Sequence, residues 1–435
     1  MQATQEREEL LKQFAGIVHR NAAYLGATAA NLRMRGIAGP RAGALEVSAG
    51  AQTGAVLRAL TRDDAALLRQ LVPWDFGGNR PNAFMSGRYL RLDAPWPEAL
   101  AETDVPLRSL GRHPDGDGRW IAGKNESGDT ITIGFSLDRT PHWLFSGTSG
   151  SGKTVAVKTA LVQLARDPRN RFVLVDGKRG LSLRSLAHLN GRIGPLATTP
   201  AEWKAALGWA NGEMNRRFNS GYETRIIVVV EEIQEIIADA ACAEMVARLV
   251  TLGREVEMHA LLTTQHPTVK SLGGPRVSRN LAGRLALKVT DDVASRVAVG
   301  SSSPRADYLL GRGDGYAVSV DTVHRAQMAL SDEQDLAQAS GGDPTSVLAW
   351  DTVEVDDLGD GPKPAHRQAD GLTPAEVGMI LVAANREMGR RKFQDYAIEV
   401  TGTKPGSDKA DRLLTLGRAA LDWLTVNGYQ ISELE

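Results

Sequence analysis

The residues Gly147-Thr148-Ser149-Gly150-Ser151-Gly152-Lys153-Thr154 have the spacing GxxxxGK[ST]. They follow a short apolar run at 142–146 and open a helical stretch at Lys153. Glycines at these positions let backbone N–H groups curl round a β-phosphate, and the helix that follows adds the positive end of its dipole. The Lys153 ammonium would neutralise β- and γ-oxygens, and the Thr154 hydroxyl would ligate Mg²⁺. A chance Gly/Ser-rich turn has no need of the lysine, the threonine and the strand–helix context together. The chemistry expected is therefore binding and hydrolysis of ATP with Mg²⁺.

Such a site needs acid at a strand end to hold the magnesium shell and polarise the attacking water. The run Ile226-Ile227-Val228-Val229-Val230-Glu231-Glu232 supplies five β-branched residues and then two carboxylates. Glu231 is expected on the magnesium side, with Thr154, and Glu232 toward the γ-phosphate as the base that orients water. The usual first acid is Asp, so Glu231 is a departure. Its extra methylene moves the carboxylate by up to ~1.5 Å, one C–C bond length.

Short apolar runs alternate with helical segments around these motifs. Strands are expected near 130–135, 142–146, 171–176, 225–230, 259–264, 283–289 and 315–320, with helices near 153–166, 200–218 and 241–253. The helix at 200 has a capping-box start, Thr199-Pro200-Ala201-Glu202. This alternation indicates an α/β fold with a mostly parallel sheet. Upstream, apolar residues from Leu10 to Leu32 follow a helical rhythm, so 5–35 reads as an amphipathic helix. The topology of 36–115 is not legible, and the turn-rich stretch 112–130 reads as a boundary. Between 331 and 362 there are nine Asp/Glu and no Lys/Arg, which reads as an acidic connector. A further helical unit opens at Leu372-Thr373-Pro374-Ala375-Glu376-Val377 with a capping box, and its last helix, about 408–426, stops at Asn427-Gly428. The domains expected are 1–115 (helical and mixed), 116–330 (motor), 331–371 (linker) and 372–435 (helical).

A length of 435 residues suits two or three such domains. Lys+Arg 51 against Asp+Glu 52 excludes a generally basic nucleic-acid coat, though a local basic channel stays open. The single cysteine, Cys242, cannot close an internal disulfide. No apolar stretch approaches the ~20 residues of a membrane span, and the first residues have no leader pattern. A cytoplasmic protein is expected.

Residues beyond the two generic motifs narrow the class. The entry 142–154 resembles that of the FtsK/SpoIIIE DNA translocases, as does Phe172-Val173-Leu174-Val175-Asp176-Gly177-Lys178-Arg179, where Gly177 stands in place of their proline. Trp203 to Phe218, Leu252-Gly253-Arg254 with His259, and Thr263-Thr264-Gln265-His266-Pro267 are similar to their motifs in collinear order. So are Asn280-Leu281-Ala282-Gly283-Arg284, Asp292 with Ser295-Arg296, and Leu309-Leu310-Gly311-Arg312-Gly313-Asp314. Each is weak alone, and the ordered set over about 130–330 is specific.

The resemblance implies a RecA-like P-loop NTPase core of the FtsK/HerA superfamily. It implies that Gln265 senses the γ-phosphate and that Arg254 is an arginine finger supplied to the neighbouring subunit, against the alternative of a helix-end arginine complementing a dipole. It implies a homo-hexameric ring around double-stranded DNA, held by its phosphates without base reading. Lys270, Arg276 and Arg279 are the pore candidates, with plain surface charge as the alternative. Arg284 and Arg312 are expected at a subunit interface, at a phosphate, or merely solvated. The membrane anchor of the cell-division members has no counterpart in this sequence, so it is absent or is provided by a partner, and a membrane or DNA-processing partner protein is expected only on the second alternative. The C-terminal unit stands where relatives carry a winged-helix DNA reader, with a generic three-helix unit as the alternative. Two other functions stay open: a secretion-type ATPase that moves protein, and a nucleotide-switched DNA-binding protein with negligible turnover.

Overall fold

The computed structural model describes residues 2–352, other than 64, 112–115, 137, 138, 321 and 342–348, and then 388, 390–401, 410 and 413–415. The chain divides into two compact units, Met1–Asp357 and Leu358–Glu435.

The first unit begins with α1 (Gln2–Arg20), whose Phe14 and Val18 are fully buried. The helix expected over 5–35 stops at Arg20. The apolar rhythm continues past it because Leu25 and Leu32 enter the same core from turns and a short 3₁₀ segment. Next come β1 (Arg33–Ala38), β2 (Ala42–Ser48), α2 (Thr53–Thr61), α3 (Ala66–Leu71), β3 (Asn82–Ser86) and β4 (Tyr89–Pro95). The four strands form an antiparallel sheet in the order β1-β2-β4-β3, which α1 covers. The stretch that was illegible in sequence is thus a small α+β layer.

The second sheet has nine strands. They are β5 (Arg119–Asn125), β6 (Thr130–Gly134), β7 (Trp143–Ser146), β8 (Asn170–Asp176), β9 (Arg225–Glu231), β10 (Met258–Thr264), β11 (Gly283–Leu287), β12 (Asp314–Val318) and β13 (Val323–Met328). Their order is β6-β5-β13-β12-β11-β7-β10-β9-β8. From β11 to β8 all pairings are parallel, and from β6 to β11 all are antiparallel. Within the stretch 112–130, read as a boundary, β5 is the first strand in chain order of this second sheet.

The parallel strands read as continuous apolar runs because both of their faces are covered. The helices that connect them are α4 (Lys153–Leu164), α5 (Pro200–Ser220), α6 (Ile233–Ile236), α7 (Ala240–Leu252), α8 (Pro275–Asn280) and α9 (Asp292–Val299). α5 starts with the expected capping box: Thr199 Oγ1 accepts from Glu202 N at 3.3 Å, and Thr199 N donates to Glu202 Oε2 at 2.9 Å. α4 is buried on nearly all sides. Its Gln163 bonds both backbone groups of Ile121, at 2.9 and 3.0 Å, where β5 bulges. α10 (Glu333–Gln338) follows β13 and packs on α4.

A buried ionic cluster joins the two sheets. Arg325 of β13 donates to Asp314 of β12 at 3.0 and 2.9 Å, and also to Asp93 of β4. Arg91 of β4 donates to Asp93 at 2.6 Å and to Glu126. Burial raises the Asp93 pKa, but Arg91 and Arg325 outweigh it and hold the carboxyl below its ordinary value.

In the second unit the helix Arg390–Thr401 places Phe393 and Ala397 in a small core with Leu413 and Leu414. The capping box at 372–377 lies outside the described residues, as do most of the connector beyond 352 and most of 408–426.

Candidate nucleotide site

The glycine-rich loop joins β7 to α4 at the carboxyl ends of the parallel strands. Gly150 has φ +76° and Gly152 has φ +103°, backbone that side-chain-bearing residues rarely adopt. Gly152 has a second constraint, because a Cβ there would stand 2.8 Å from Gly313 N. Neighbouring strands brace the loop. Gly147 N donates to Thr264 O at 3.2 Å, Thr148 N to Lys288 O at 2.9 Å, and Gly313 N to Ser151 O at 2.7 Å.

That last bond ties the loop to the turn before β12, where Arg312 has φ +48°. Arg41, from the turn between β1 and β2, holds the same turn from behind. Its Nη1 donates to Gly311 O at 3.2 Å, Arg312 O at 3.2 Å and Gln327 Oε1 at 3.1 Å. The N-terminal layer therefore reaches to within two hydrogen bonds of the glycine-rich loop.

Lys153 and the acid pair meet inside the protein. The Lys153 ammonium donates to Glu231 Oε1 at 2.8 Å, Glu232 Oε1 at 2.9 Å and Thr263 Oγ1 at 3.2 Å. Thr263 also donates to Glu231 Oε2, and its oxygen accepts from Glu232 N at 2.9 Å. Glu231 and Glu232 are 0% and 1% exposed, so their charges depend on these partners. Glu232 has a second cation, Lys178, with Nζ 2.9 Å from Oε1. Gln234 Nε2 and Gln265 N donate to its Oε2 at 2.7 and 3.2 Å. Burial alone would raise the Glu232 pKa. The Gln234 amide, Lys153 and Lys178 outweigh it and hold the carboxyl at about 2.

A cleft of about 520 Å³ opens over the loop, and Thr148, Lys153, Thr154, Lys178, Gln265 and Arg312 face it. Its far wall comes from Thr103 and Asp104, in the segment that follows the N-terminal layer, with Met328 and Leu330. The donor set fits a nucleotide with its metal. Among the described residues the Thr154 hydroxyl makes no protein hydrogen bond, and the Ser151 hydroxyl is buried without a partner. Thr154 would hold Mg²⁺ with Glu231 behind it, and the metal would supply charge neutralisation at the phosphates.

Of the remaining expected residues, Arg312 borders the cleft and the others lie elsewhere. Arg254 sits on the 3₁₀ turn Gly253–Val256, half exposed, with its Nε 3.2 Å from Glu255 Oε1. It precedes β10 and Gln265 follows it, so a seven-residue strand of about 20 Å separates Arg254 from this chain's own cleft. Lys270, Arg276 and Arg279 are exposed. Arg276 pairs with Glu244 at 2.9 Å and sits on α8 with Arg279. Arg312 is exposed at the cleft edge. Of the alternatives for Arg284, the structure overturns the solvated one. Arg284 is 9% exposed and donates to Val297 O at 2.6 Å and Ser278 O at 2.9 Å, so it fastens α8 and α9 together. Lys178, Thr263 and Gln234 were missed as site residues.

Residues 120–301 match the FtsK/SpoIIIE family. The chain is 29% identical over 247 residues to the DNA translocase FtsK of Bradyrhizobium diazoefficiens, covering 44% of this chain and 29% of that protein. It is 26% identical over 369 residues to the DNA translocase FtsK of Streptococcus pyogenes, covering 71% and 44%. The chain thus spans less than half the length of either relative. A solved structure that it resembles is the monomer form of the pCW3 conjugation coupling protein TcpA with ATPγS, at 19% identity and TM-score 0.47, covering 70% of this chain and 89% of that one.

Proposed function

We propose that this chain, which carries an FtsK/SpoIIIE-family domain over residues 120–301, is an ATP-driven motor that moves double-stranded DNA. The observation that carries the reading is that Lys153, which faces the cleft with Gln265, is held from below by the buried Glu231 and Glu232 at the end of β9, all within the stretch that matches that family. ATP enters with its phosphates on the glycine-rich loop, and Lys153 moves from the carboxylates to the phosphate oxygens. Glu232, still held by Lys178, Gln234 and the Gln265 N–H, then orients the lytic water, and the Gln265 side chain, which faces the cleft, meets the γ-phosphate.

Arg254 supports a ring. It stands a strand's length from its own cleft, which supports a role at a neighbour's site, as a planar cation on the transferring group. A homo-hexamer of such sites around duplex DNA is the assembly proposed, with Lys270, Arg276 and Arg279 on the phosphate backbone. Among the described residues no helix is long and apolar enough to cross a membrane, and we place the motor in the cytoplasm. The test is the steady-state ATPase rate with Mg²⁺, with and without long duplex DNA. Stimulation by DNA supports the reading, and hydrolysis indifferent to DNA favours a motor that moves protein.

A further inference from the structure

A carboxylate has about four acceptor directions, and on Glu232 all four are filled. Oε1 takes Lys153 and Lys178, each at 2.9 Å. Oε2 takes Gln234 Nε2 at 2.7 Å and Gln265 N at 3.2 Å. In this arrangement no direction is left for a water.

The two lysines differ in mounting. Lys153 lies on the glycine-rich loop, where an incoming triphosphate competes for it. Lys178 lies in the turn after β8, 36% exposed and facing the same cleft. That turn is pressed onto the acid pair by its backbone. Gly177 N donates to Glu231 O at 2.9 Å. A Cβ on Gly177 would stand 2.8 Å from Glu231 O and 2.9 Å from Glu232 O. Below, the fully buried Asp176 accepts from Lys178 N at 2.8 Å, Ser182 N at 2.9 Å and Leu183 N at 2.8 Å. Lys178 is therefore launched from a fixed turn whose register on β9 pairs Asp176 with Glu231.

We propose that Lys178 is a positioning residue for ATP hydrolysis: it keeps Glu232 in place once Lys153 has gone to the phosphates. The inference rests on the ATPase reading above. Triphosphate brings negative charge beside a buried carboxylate as its first cation leaves, and like charges repel strongly where water is excluded. Gln234 and the Gln265 N–H are neutral and cannot replace that cation. Lys178 can. By holding Oε1, it leaves open only the direction that Lys153 vacates, and that direction faces the phosphates.

The experiment is a double-mutant cycle of Lys178→Met and Glu232→Gln, read as kcat with duplex DNA and as ATP Kd without turnover. Lys178→Met should lower kcat by about tenfold or more while ATP Kd moves less than about twofold. Lys178→Arg should recover most of the loss. In a Glu232→Gln background, Lys178→Met should change kcat no further, because its effect passes through that carboxylate. An unchanged kcat overturns the proposal. So does a further loss in the Glu232→Gln background, or a tenfold weaker Kd at normal kcat, which would make Lys178 a phosphate ligand. If Lys178→Met does not fold by thermal unfolding, Lys178→Gln runs the same cycle. A wild-type protein with no ATPase activity would overturn the underlying reading and this inference with it. Normal wild-type turnover alongside an indifferent Lys178 overturns the inference alone.

Discussion

Gly313 donates its backbone N–H to the carbonyl of Ser151 at 2.7 Å, so a turn of the antiparallel half of the sheet grips the phosphate loop of the parallel half. The grip extends outward. Arg41 holds the carbonyls of Gly311 and Arg312, and Gln327 Nε2 donates to Arg312 O at 2.7 Å. The nucleotide site is thereby built into the N-terminal layer, which the generic motifs gave no reason to expect.

Arg41→Ala should weaken ATP binding even though Arg41 touches no nucleotide. Removing the guanidinium leaves the buried Gln327 Oε1 without a donor, at a cost of about 1–3 kcal/mol in stability, while Gly311 O keeps Asp314 N and Arg312 O keeps Gln327 Nε2. If the turn loosens by that amount, ATP Kd should rise roughly tenfold, equivalent to ~1.4 kcal/mol. Isothermal titration and denaturant unfolding would report both. Lower stability with an unchanged Kd would confine Arg41 to holding the two layers together.

Breaking the ionic cluster between the sheets should be costly. Asp93→Asn removes the carboxylate shared by Arg91 and Arg325, whose side chains are 9% and 5% exposed. Loss of one partner of a buried pair costs about 3–5 kcal/mol. Urea unfolding of the first unit should show that loss at pH 7. A change below about 1 kcal/mol would mean that water or Glu126 takes over the charge.

The parallel half of the fold was legible in sequence because strands covered on both faces are written as unbroken apolar runs, as in 226–230. The antiparallel half was not. β4 and β13 carry Arg91, Asp93 and Arg325 pointing into the protein, which spoils the alternation that marks a half-buried strand. The helix at 5–35 was overrun because burial persists past Arg20 after the helical backbone has ended. At the site, the glycine-rich loop and the acid pair are local patterns and could be read directly. Lys178 reaches Glu232 only through the pairing of β8 with β9, a relationship between segments about fifty residues apart. The signals were a lysine two residues beyond the acid that ends a neighbouring strand and its place in the motif 172–179.

His142 gives the protein an acid limit. It is fully buried, and its Nδ1 accepts from Ala260 N at 2.9 Å, which requires that nitrogen to be unprotonated. Burial, with His259 and Arg254 nearby, pushes its pKa down to about 3. An unfolded histidine takes a proton near pH 6.5 and the folded one does not. Stability is therefore whole above pH 6.5 and falls by up to ~1.4 kcal/mol per pH unit below it, until pH reaches about 3. His142→Asn, which keeps an acceptor, should flatten the unfolding free energy between pH 7 and 5 by about one proton's slope. Identical slopes in the two proteins would refute the assignment.

Arg254→Ala should bind ATP normally and be inactive alone. Mixed with Lys153→Ala subunits, it should regain hydrolysis at interfaces that pair an intact loop with an intact arginine. A plot of ATPase rate against mixing ratio, at concentrations where light scattering shows rings, would peak between the pure mutants. A strictly linear plot would remove the inter-subunit site.

The most direct test of the motor itself is displacement of a third strand from a long duplex. A triplex-forming oligonucleotide is annealed far from the end of a duplex, and its release is followed with ATP and Mg²⁺. The account predicts release by the wild-type protein, after a delay that lengthens with the distance to be travelled, and none by Lys153→Ala. Hydrolysis of ATP on the same DNA with the third strand left in place would contradict it.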